Sequence, residues 1–270
     1  MKDVSRKGQP DERPREPKRG VALAGGAARG FAHIGVLKAI EATDLPISAV
    51  AGTSMGAIIG SLWAAGWTAD EILDIARKTR WLRLINFKPT GGLLSTSKLH
   101  DFLGRYLPDR FEALERPFVA VATDVVRGRS VYLHQGELPS AVLASAAYPG
   151  LFSIIEREGL QLIDGGVLDN LPVDAARFLG SEWILASDVT YDPDHEVEPP
   201  TGLLEIGRRA VDLMQARLTQ ARLAMNPPDV YVRPDLRGVG LEHFGKLEEI
   251  WPRGLDAAQR VLDEVIHELT

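Results

Sequence analysis

Short runs of apolar residues alternate along the chain with segments whose apolar residues recur at helical spacing. The first runs cover residues 21–24 and 47–51, and glycine-containing turns connect them to periodic segments at residues 31–42 and 55–65. Gly66 follows the second segment, in the position where a glycine commonly ends a helix. This pattern predicts two successive strand–helix units.

The alternation continues along the rest of the chain. Thr68 and Glu71 have the spacing of a capping box, which predicts a helix extending to about Arg80. Further buried strands are predicted at residues 118–123 and 183–187, and long helices at residues 202–225 and 255–269. Residues 81–107 mix aromatic, glycine and polar positions and predict a covering segment or lid. The order of elements favours an α/β fold in which helices cover both faces of a mainly parallel sheet.

Composition limits the possible function classes. With 270 residues, 45% of them hydrophobic, the chain can bury the core of one domain. The formal net charge of −6 and the lack of a basic stripe argue against a nucleic-acid partner. The chain contains no cysteine, which excludes disulfides, thiolate metal sites and a cysteine nucleophile. Because the carboxylates do not cluster at ligand spacing, no metal is expected.

The N-terminal segment differs from the rest of the chain. Residues 1–19 are basic and proline-containing and lack the apolar core of a signal peptide, so we expect a disordered tail before a single domain at residues 20–270. The tail is either simply solvated or weakly attracted to an anionic membrane. The longest apolar run, residues 141–155, is too short to span a bilayer. We therefore expect a soluble, cytoplasmic protein, with peripheral membrane contact as an alternative.

Ser54 occupies the most informative position in the sequence. It lies between Gly52 and Gly56, directly after a predicted strand and before a predicted helix. A sharp strand-to-helix turn with glycines on both sides is typical of a nucleophile elbow, in which a strained serine is exposed at a helix N-terminus. The unpaired N–H groups of that helix can stabilise an anion beside the serine.

A second glycine-rich turn lies in the first strand–helix unit. Gly25, Gly26 and Ala27 can offer backbone N–H groups to the oxyanion of a tetrahedral intermediate. The alternative is a phosphate cradle for a nucleotide, but the Walker lysine is absent and the third glycine of a dinucleotide fingerprint is out of register. Arg29, which follows the turn, either holds a lipid phosphate or pairs with a nearby acid.

Candidates for a general base are histidines and one aspartate. None of the six histidines has an informative context, although His195, His243 and His267 follow the serine in the order expected of an ordinary α/β-hydrolase. Asp164 instead follows an apolar strand and precedes Gly165 and Gly166, which would place its carboxylate at a sheet edge with room for a hydroxyl. The alternative for this segment is a plain hairpin turn.

The three motifs occur together in one known family. The glycine turn with Arg29 and Gly30, the Gly52–Gly56 elbow and the Asp164 motif resemble the patatin-like phospholipases, especially bacterial proteins related to the catalytic domain of neuropathy target esterase. The resemblance covers roughly residues 20–185 and includes the segments 122–124 and 145–149. One departure is Ala27, where the family usually has a third glycine.

The resemblance implies a patatin-like α/β/α fold and a Ser-Asp dyad in place of a triad. Ser54 would attack an ester carbonyl, Asp164 would accept its proton, and the amides of Gly25, Gly26 and Ala27 would bind the oxyanion. The substrate would be a phospholipid or lysophospholipid, and no metal or cofactor is required. Two alternatives remain, an acyltransferase on a related scaffold and a catalytically silent lipid-binding or regulatory module.

Overall fold

The computed structural model describes residues 17–84, 96–190 and 199–269. The strands are β1 (Arg19–Leu23), β2 (Ala49–Thr53), β3 (Phe118–Asp124), β4 (Arg129–Leu133), β5 (Ile155–Arg157), β6 (Leu160–Asp164), β7 (Trp183–Ser187) and β8 (Val230–Val232). The helices are α1 (Ala32–Glu41), α2 (Met55–Ala64), α3 (Ala69–Lys78), α4 (Trp81–Leu84), α5 (Ser97–Tyr106), α6 (Leu138–Ser145), α7 (Val173–Phe178), α8 (Leu203–Met225) and α9 (Leu247–Leu269).

These strands form one sheet in the order β5-β6-β3-β2-β1-β7-β8, and β4 also pairs with β3. The strands from β3 through β2, β1 and β7 to β8 are parallel, whereas β4, β5 and β6 pair antiparallel. Every residue of β2 and β3 is buried. Since successive side chains of a strand point to opposite faces, both faces of the sheet are covered. The predicted α/β fold with a mainly parallel central sheet is confirmed.

The pairing of β3 brings the ends of two distant strands together. Val121 pairs with Thr53 at the end of β2, and the next residue, Ala122, pairs with Asp164 at the end of β6. Because β4 pairs with the same β3 residues, β2 and β6 must share the opposite edge of β3. The two strands run toward each other along that edge. Asp164 and the residue after Thr53 therefore meet although they are far apart in sequence.

Most of the predicted elements agree with the structure, but their boundaries differ in places. The capping box is present, with the Glu71 amide donating to the Thr68 hydroxyl and the Thr68 amide donating to the Glu71 carboxylate. The helix it begins ends at Lys78, before the predicted Arg80. The last helix begins at Leu247, earlier than predicted, and contains Pro252. Arg19, assigned to the tail, is the first residue of β1.

Two sequence predictions fall partly outside the described residues. The disordered tail corresponds mainly to residues 1–16, which are not described. The predicted lid includes helices α4 and α5, but the segment between them, residues 85–95, also lies outside the described part. None of the described helices combines the length and the apolar composition that a membrane span requires.

Helices α1 and α9 cross with direct backbone contact. A Cβ at Gly35 of α1 would overlap the Trp251 carbonyl oxygen, and a Cβ at Gly254 of α9 would overlap the Ala32 carbonyl oxygen. An aromatic cluster lies near the starts of these two helices. In it the Phe31 ring contacts the rings of Trp81 and Phe244 at centroid distances of 5.3 and 5.9 Å. The C-terminal helix is thus packed onto the first strand–helix unit.

Candidate active site

Ser54 forms the turn between β2 and α2. It is the N-cap residue of α2 and has φ 54° and ψ −120°, a conformation that residues with a Cβ rarely adopt. The flanking glycines are required by close packing. A Cβ at Gly56 would overlap the Leu23 carbonyl oxygen, and a Cβ at Gly52 would lie 2.5 Å from the Gly56 carbonyl oxygen. The geometry is that of the strand-to-helix elbow expected from the sequence.

Two long-range hydrogen bonds fix this turn. The Ser54 backbone N–H donates to the Ser145 hydroxyl at 3.0 Å, and Ser145 at the end of α6 is fully buried. The Thr53 hydroxyl donates to the Asp169 carbonyl oxygen at 2.9 Å. Both partners come from parts of the chain near the Asp164 motif. The strained serine is therefore held from two sides.

Asp164 ends β6 and is buried, with a relative exposure of 3%. Its Oδ1 accepts the Gly166 N–H at 2.7 Å, whereas Oδ2 has no hydrogen-bond partner of ordinary geometry. The following residues form a 3-10 turn, Gly165–Val167, that leads toward α7, so the hairpin alternative for this segment is wrong. A Cβ at Gly165 would overlap the Val121 carbonyl oxygen, which explains the need for glycine there.

The environment of Asp164 changes its acidity. Burial raises its pKa from 3.8 to about 6, while hydrogen bonding from the Ser54 side chain and from the Gly166 amide opposes the rise. The Ser54 hydroxyl is thus close enough to interact with the carboxylate, although their contact lies outside ordinary hydrogen-bond geometry. Such loose contacts are common between catalytic groups when no substrate is bound. The site holds a carboxylate that is a stronger base than a free aspartate.

The first glycine turn lies beside Ser54. A Cβ at Gly25 would lie 3.1 Å from the Ser54 Cβ and 2.5 Å from the Asn170 Oδ1. The Gly25 N–H donates to the Asn170 carbonyl oxygen at 3.0 Å. This bond corrects the prediction for Gly25, because its amide already has an acceptor. Among the described residues, the amides of Gly26 and Ala27 have no such backbone acceptor.

Ala27 departs from the usual glycine at a position where the difference matters. Its φ is 46°, in the left-handed region that favours glycine. The next amide, that of Ala28, donates to the Leu241 carbonyl oxygen at 3.1 Å, and Arg29 donates through Nε to the Val239 carbonyl oxygen at 2.8 Å. The segment before α9 therefore holds the turn in this conformation. Gly30 is packed so closely that a Cβ would overlap the Met55 side chain.

A cleft of about 460 Å³ opens beside these residues, within the usual size of small-molecule sites. Ser54, Asp164, Gly25, Gly26 and Ala27 all line it. The rest of the lining is mostly apolar and includes Ile58, Trp81, Leu99, Phe152, Val211 and Phe244. The structure thus brings the three predicted motifs to one cavity that can accommodate an apolar chain.

The described histidines do not take part in this arrangement. Within the ranges that the structure describes, no histidine lines the cleft. His33 is fully buried between the Ser187 hydroxyl and the Ala24 carbonyl oxygen, each at 2.8 Å, and burial lowers its pKa to about 4. The His243 Nδ1 accepts the Gly240 N–H at 2.9 Å. His195 lies outside the described residues, and no three described His, Asp or Glu side chains converge as metal ligands.

Several contacts at the site were not predicted from the sequence, although Ser145 lies in the segment 145–149 that carries part of the resemblance. Asn170 and Ser145 contact the glycine turn and the elbow, and Gln215 of α8 donates through Nε2 to the Gly166 carbonyl oxygen at 2.9 Å. Arg222 of the same helix forms ion pairs with Asp169 at 3.0 Å and with Asp174 at 2.5 Å. Each contact joins residues that are distant in sequence, so local patterns carry no signal for it.

Comparison with known proteins agrees with the motifs. A family model described as patatin-like phospholipase matches residues 21–177. An uncharacterised NTE family protein of Mycobacterium tuberculosis is 40% identical over 191 residues, which are 68% of this chain and 53% of that protein. Lysophospholipase nte1 of Aspergillus fumigatus is 29% identical over 280 residues, covering 91% of this chain and 18% of that protein. The chain therefore spans about half the length, or less, of these relatives.

A solved structure shows the same fold. VipD from Legionella pneumophila matches with a TM-score of 0.50 and 15% sequence identity, and the match covers 93% of this chain and 67% of that one. At this identity the likeness concerns the fold alone. Together with the family match, it confirms the resemblance that the three motifs indicated.

Proposed function

The chain belongs to the patatin-like phospholipase family, and from this we propose that it is a serine lipid acyl hydrolase that works through a Ser54–Asp164 dyad. The observation that carries the proposal is the position of Asp164. Its buried carboxylate lies beside a strained serine, with Oδ1 held by Gly166 and Oδ2 left to accept a proton. A raised pKa suits this group for base catalysis near neutral pH.

In the first step the Ser54 Oγ attacks the carbonyl carbon of an ester, and its proton moves to the Asp164 Oδ2. The carbonyl oxygen becomes an oxyanion as the C–O double bond opens. The amides of Gly26 and Ala27 are the proposed donors to this oxyanion, with the first amides of α2 contributing the positive end of the helix dipole. Gly25 supports the turn because its own amide is bonded to Asn170.

Collapse of the tetrahedral intermediate breaks the ester C–O bond and leaves the acyl group on Ser54. The departing alcohol takes the proton from Asp164, which becomes a carboxylate again. Asp164 then removes a proton from water, whose oxygen attacks the acyl carbon and releases a fatty acid while the proton returns to the serine. Neither half of the proposed reaction requires a metal or cofactor.

The proposed substrate is a lysophospholipid or phospholipid. The apolar lining and the volume of the cleft suit a fatty acyl chain placed next to Ser54. The relative from Aspergillus fumigatus is named a lysophospholipase, which favours a monoacyl lipid as the first substrate to examine. Comparing hydrolysis of lysophospholipids with that of diacyl phospholipids in mixed micelles tests this preference. Faster hydrolysis of the diacyl lipid would contradict it.

We also propose transient contact with a lipid surface through α8. Gly207 and Val211 of this helix line the cleft, while Ile206, Met214 and Met225 are exposed apolar residues. Such a surface can lie against a membrane beside the cleft entrance. Met214→Glu and Met225→Glu should lower the ratio of vesicle turnover to turnover of a water-soluble ester. An unchanged ratio would argue against this contact.

The dyad can be tested directly with a fluorophosphonate. We expect the intact mass of the wild-type protein to increase by one phosphonyl group, with no adduct in Ser54→Ala and a strongly slowed reaction in Asp164→Asn. Ser48→Ala, which changes an exposed serine that donates to the Arg19 carbonyl oxygen, is the matched control and should react normally. An adduct that persists in Ser54→Ala would contradict the proposal.

Transfer to other acceptors can be measured in the same preparation. Added alcohols compete with water for the acyl-enzyme, so an acyltransferase would form mainly the new ester. We expect the free fatty acid to remain the principal product. Lipid binding without turnover in the wild-type protein would favour the silent binding module instead.

A further inference from the structure

We propose that Asn170 is a positioning residue that fixes the direction of the Gly26 N–H, one of the two proposed oxyanion donors. The inference rests on the proposed hydrolase function and extends it to a residue outside the three motifs. Asn170 is buried and lies in the loop between the Asp164 turn and α7. Asn170 lines the cleft together with Ser54 and Asp164.

Asn170 holds Gly25 at two points. Its backbone carbonyl accepts the Gly25 N–H at 3.0 Å, and its side-chain Nδ2 donates to the Gly25 carbonyl oxygen at 3.1 Å. The second bond acts on the peptide unit that joins Gly25 to Gly26. In a planar trans peptide the C=O and the N–H point in opposite directions. Holding the Gly25 carbonyl therefore determines where the Gly26 N–H points.

This peptide unit needs such a restraint because of its sequence. It lies between two glycines, which lack the Cβ that limits backbone rotation at other residues. Neither glycine can be replaced to stiffen the turn. A Cβ at Gly25 would lie 2.5 Å from the Asn170 Oδ1, and one at Gly26 would lie 2.7 Å from the Val189 Cγ2. The hydrogen bond from Asn170 supplies the rigidity that the chain itself cannot.

The same residue also connects the donor turn to the base. A Cβ at Gly166 would lie 2.5 Å from the Asn170 Oδ1 and 3.1 Å from the Asp164 Oδ1, so Asn170 packs directly against the Asp164 turn. The preceding residue, Asp169, accepts the Thr53 hydroxyl at its carbonyl oxygen. One short segment therefore sets the relative positions of the base, the nucleophile and the oxyanion donor.

Two substitutions separate the hydrogen bond from packing. Asn170→Leu keeps about the same bulk in an apolar cleft but cannot donate, and Asn170→Ala removes both bulk and donor. Both should lower kcat for a soluble ester about tenfold to a hundredfold, since a catalytic donor displaced by about 1 Å can cost that much, while KM changes little. Asn226→Ala is the control, because this exposed amide donates to Asp174 outside the cleft, and its kcat should match the wild type.

A distorted cleft would give a different signature from a misdirected donor. In a Ser54→Ala background, Asn170→Leu should leave the affinity for a lysophospholipid unchanged, because the ground state makes little use of the oxyanion site. A thionoester offers a sulfur in place of the carbonyl oxygen and accepts hydrogen bonds weakly. The ratio of ester to thionoester rates should therefore fall in Asn170→Leu compared with the wild type.

The outcomes distinguish this inference from the function on which it rests. If the wild-type protein fails to hydrolyse any acyl ester or to react with the fluorophosphonate, the proposed function itself is wrong. If the wild type is active and Asn170→Leu keeps its kcat or its ester to thionoester ratio, the positioning role is overturned. Loss of lysophospholipid affinity together with a lowered thermal midpoint in both variants would likewise overturn it in favour of a packing role.

Discussion

At Ser54 and Asp164, two energetically unfavourable features occur side by side. Ser54 has a backbone conformation that costs on the order of 1–3 kcal/mol for a residue with a Cβ. Asp164 is a carboxylate that burial makes harder to ionise. Hydrogen bonds from Ser54 to Ser145 and from Gly166 to Asp164 hold both residues in place. Favourable packing elsewhere in the fold offsets the cost of this arrangement, as is common at functional sites.

The raised pKa of Asp164 predicts the acidic limb of the pH–rate profile. The carboxylate can accept a proton from Ser54 only when it is ionised, so kcat/KM should rise with pH through about 6 and then level off. A free aspartate would give this limb near pH 3.8. Initial rates with a soluble, uncharged ester between pH 4 and 9 measure it. A limb near pH 4 would show that burial does not tune this base.

The same pKa predicts that Asp164→Asn stabilises the fold. Below pH 3.8 the carboxyl is neutral in both folded and unfolded chains, whereas above about pH 6 the folded state holds an ionised, buried group. The variant should therefore gain on the order of 1–3 kcal/mol in unfolding free energy at pH 8. Urea unfolding at pH 8 and pH 4 checks this, and the gain should fall to about 0.5 kcal/mol at pH 4, close to the pKa of the unfolded carboxyl. A variant less stable than wild type at pH 8 would contradict it.

Single residues also show what the sequence can and cannot predict about the site. The elbow at Ser54 and the turn after Asp164 are local motifs. Nearby atoms leave no room for a Cβ at their glycines, so the glycines make both motifs recognisable in the sequence. The hydrogen bond of the Gly25 amide is different, because its acceptor is the carbonyl oxygen of Asn170, which lies far along the chain. No local pattern distinguishes an amide that is already bonded from one that is available.

At the scale of elements, close packing of α2 on β1 positions Ser54, and Gly56 is where the two backbones meet. Gly56→Ala should cost about 3 kcal/mol or prevent soluble expression, because its Cβ would overlap backbone atoms of Leu23 that cannot rotate away. Gly104→Ala in α5 is the matched control. That glycine is exposed, with no atom within 4 Å of its Cβ position, so the fold should gain about 0.5–1 kcal/mol. Equal unfolding midpoints in urea for both variants would contradict this explanation.

Helix α8 is attached to the site through Arg222. Burial raises the pKa of Asp169 to about 7, and the Arg222 guanidinium opposes that rise. Arg222→Met would raise this pKa further and leave an unpaired buried carboxylate at high pH. Because the guanidinium is partly exposed, we expect a loss of about 1–3 kcal/mol at pH 8. The loss should be smaller at pH 5.5, where Asp169 is protonated in the folded state.

Unfolding of the variant and wild type in urea at the two pH values measures this difference. Arg217→Met on the exposed side of the same helix is the control and should change stability by less than about 0.5 kcal/mol at either pH. A loss in Arg222→Met that is independent of pH would show that packing of the side chain, and not its charge, attaches α8.

The elements that the sequence predicted well are helices that begin with a capping box and strands that are continuous apolar runs. The helix after Thr68 has a complete capping box, and β3 and β7 are continuous apolar runs. Strands β5 and β8 were missed because three residues are too few for a period to be visible. The early start of α9 was missed because Pro252 normally argues against a helix interior, yet packing against α1 maintains the helix here.

At the scale of the whole molecule, the site extends beyond the segment that the family model matches. The match ends at residue 177, but Gln215, Leu241 and Phe244 also line the cleft. Sequence reasoning identified the fold class from the strand–helix alternation. It could not predict that β6 approaches β2 end to end along one edge of β3, because strand direction within a sheet depends on long-range pairing. That approach is what brings Asp164 next to Ser54.

The central position of β1 has a consequence for how the protein is made. Val21 pairs with Val50 on one side but with Leu185 on the other, and α9 covers the helix that follows β1. During synthesis, Ser54 leaves the ribosome well before β7, so the nascent chain carries an apolar central strand with an open edge. Such distant pairing slows folding. The cleft is therefore completed only after β7 and the segment before α9 have been synthesised, and until then the emerging chain exposes an open strand edge.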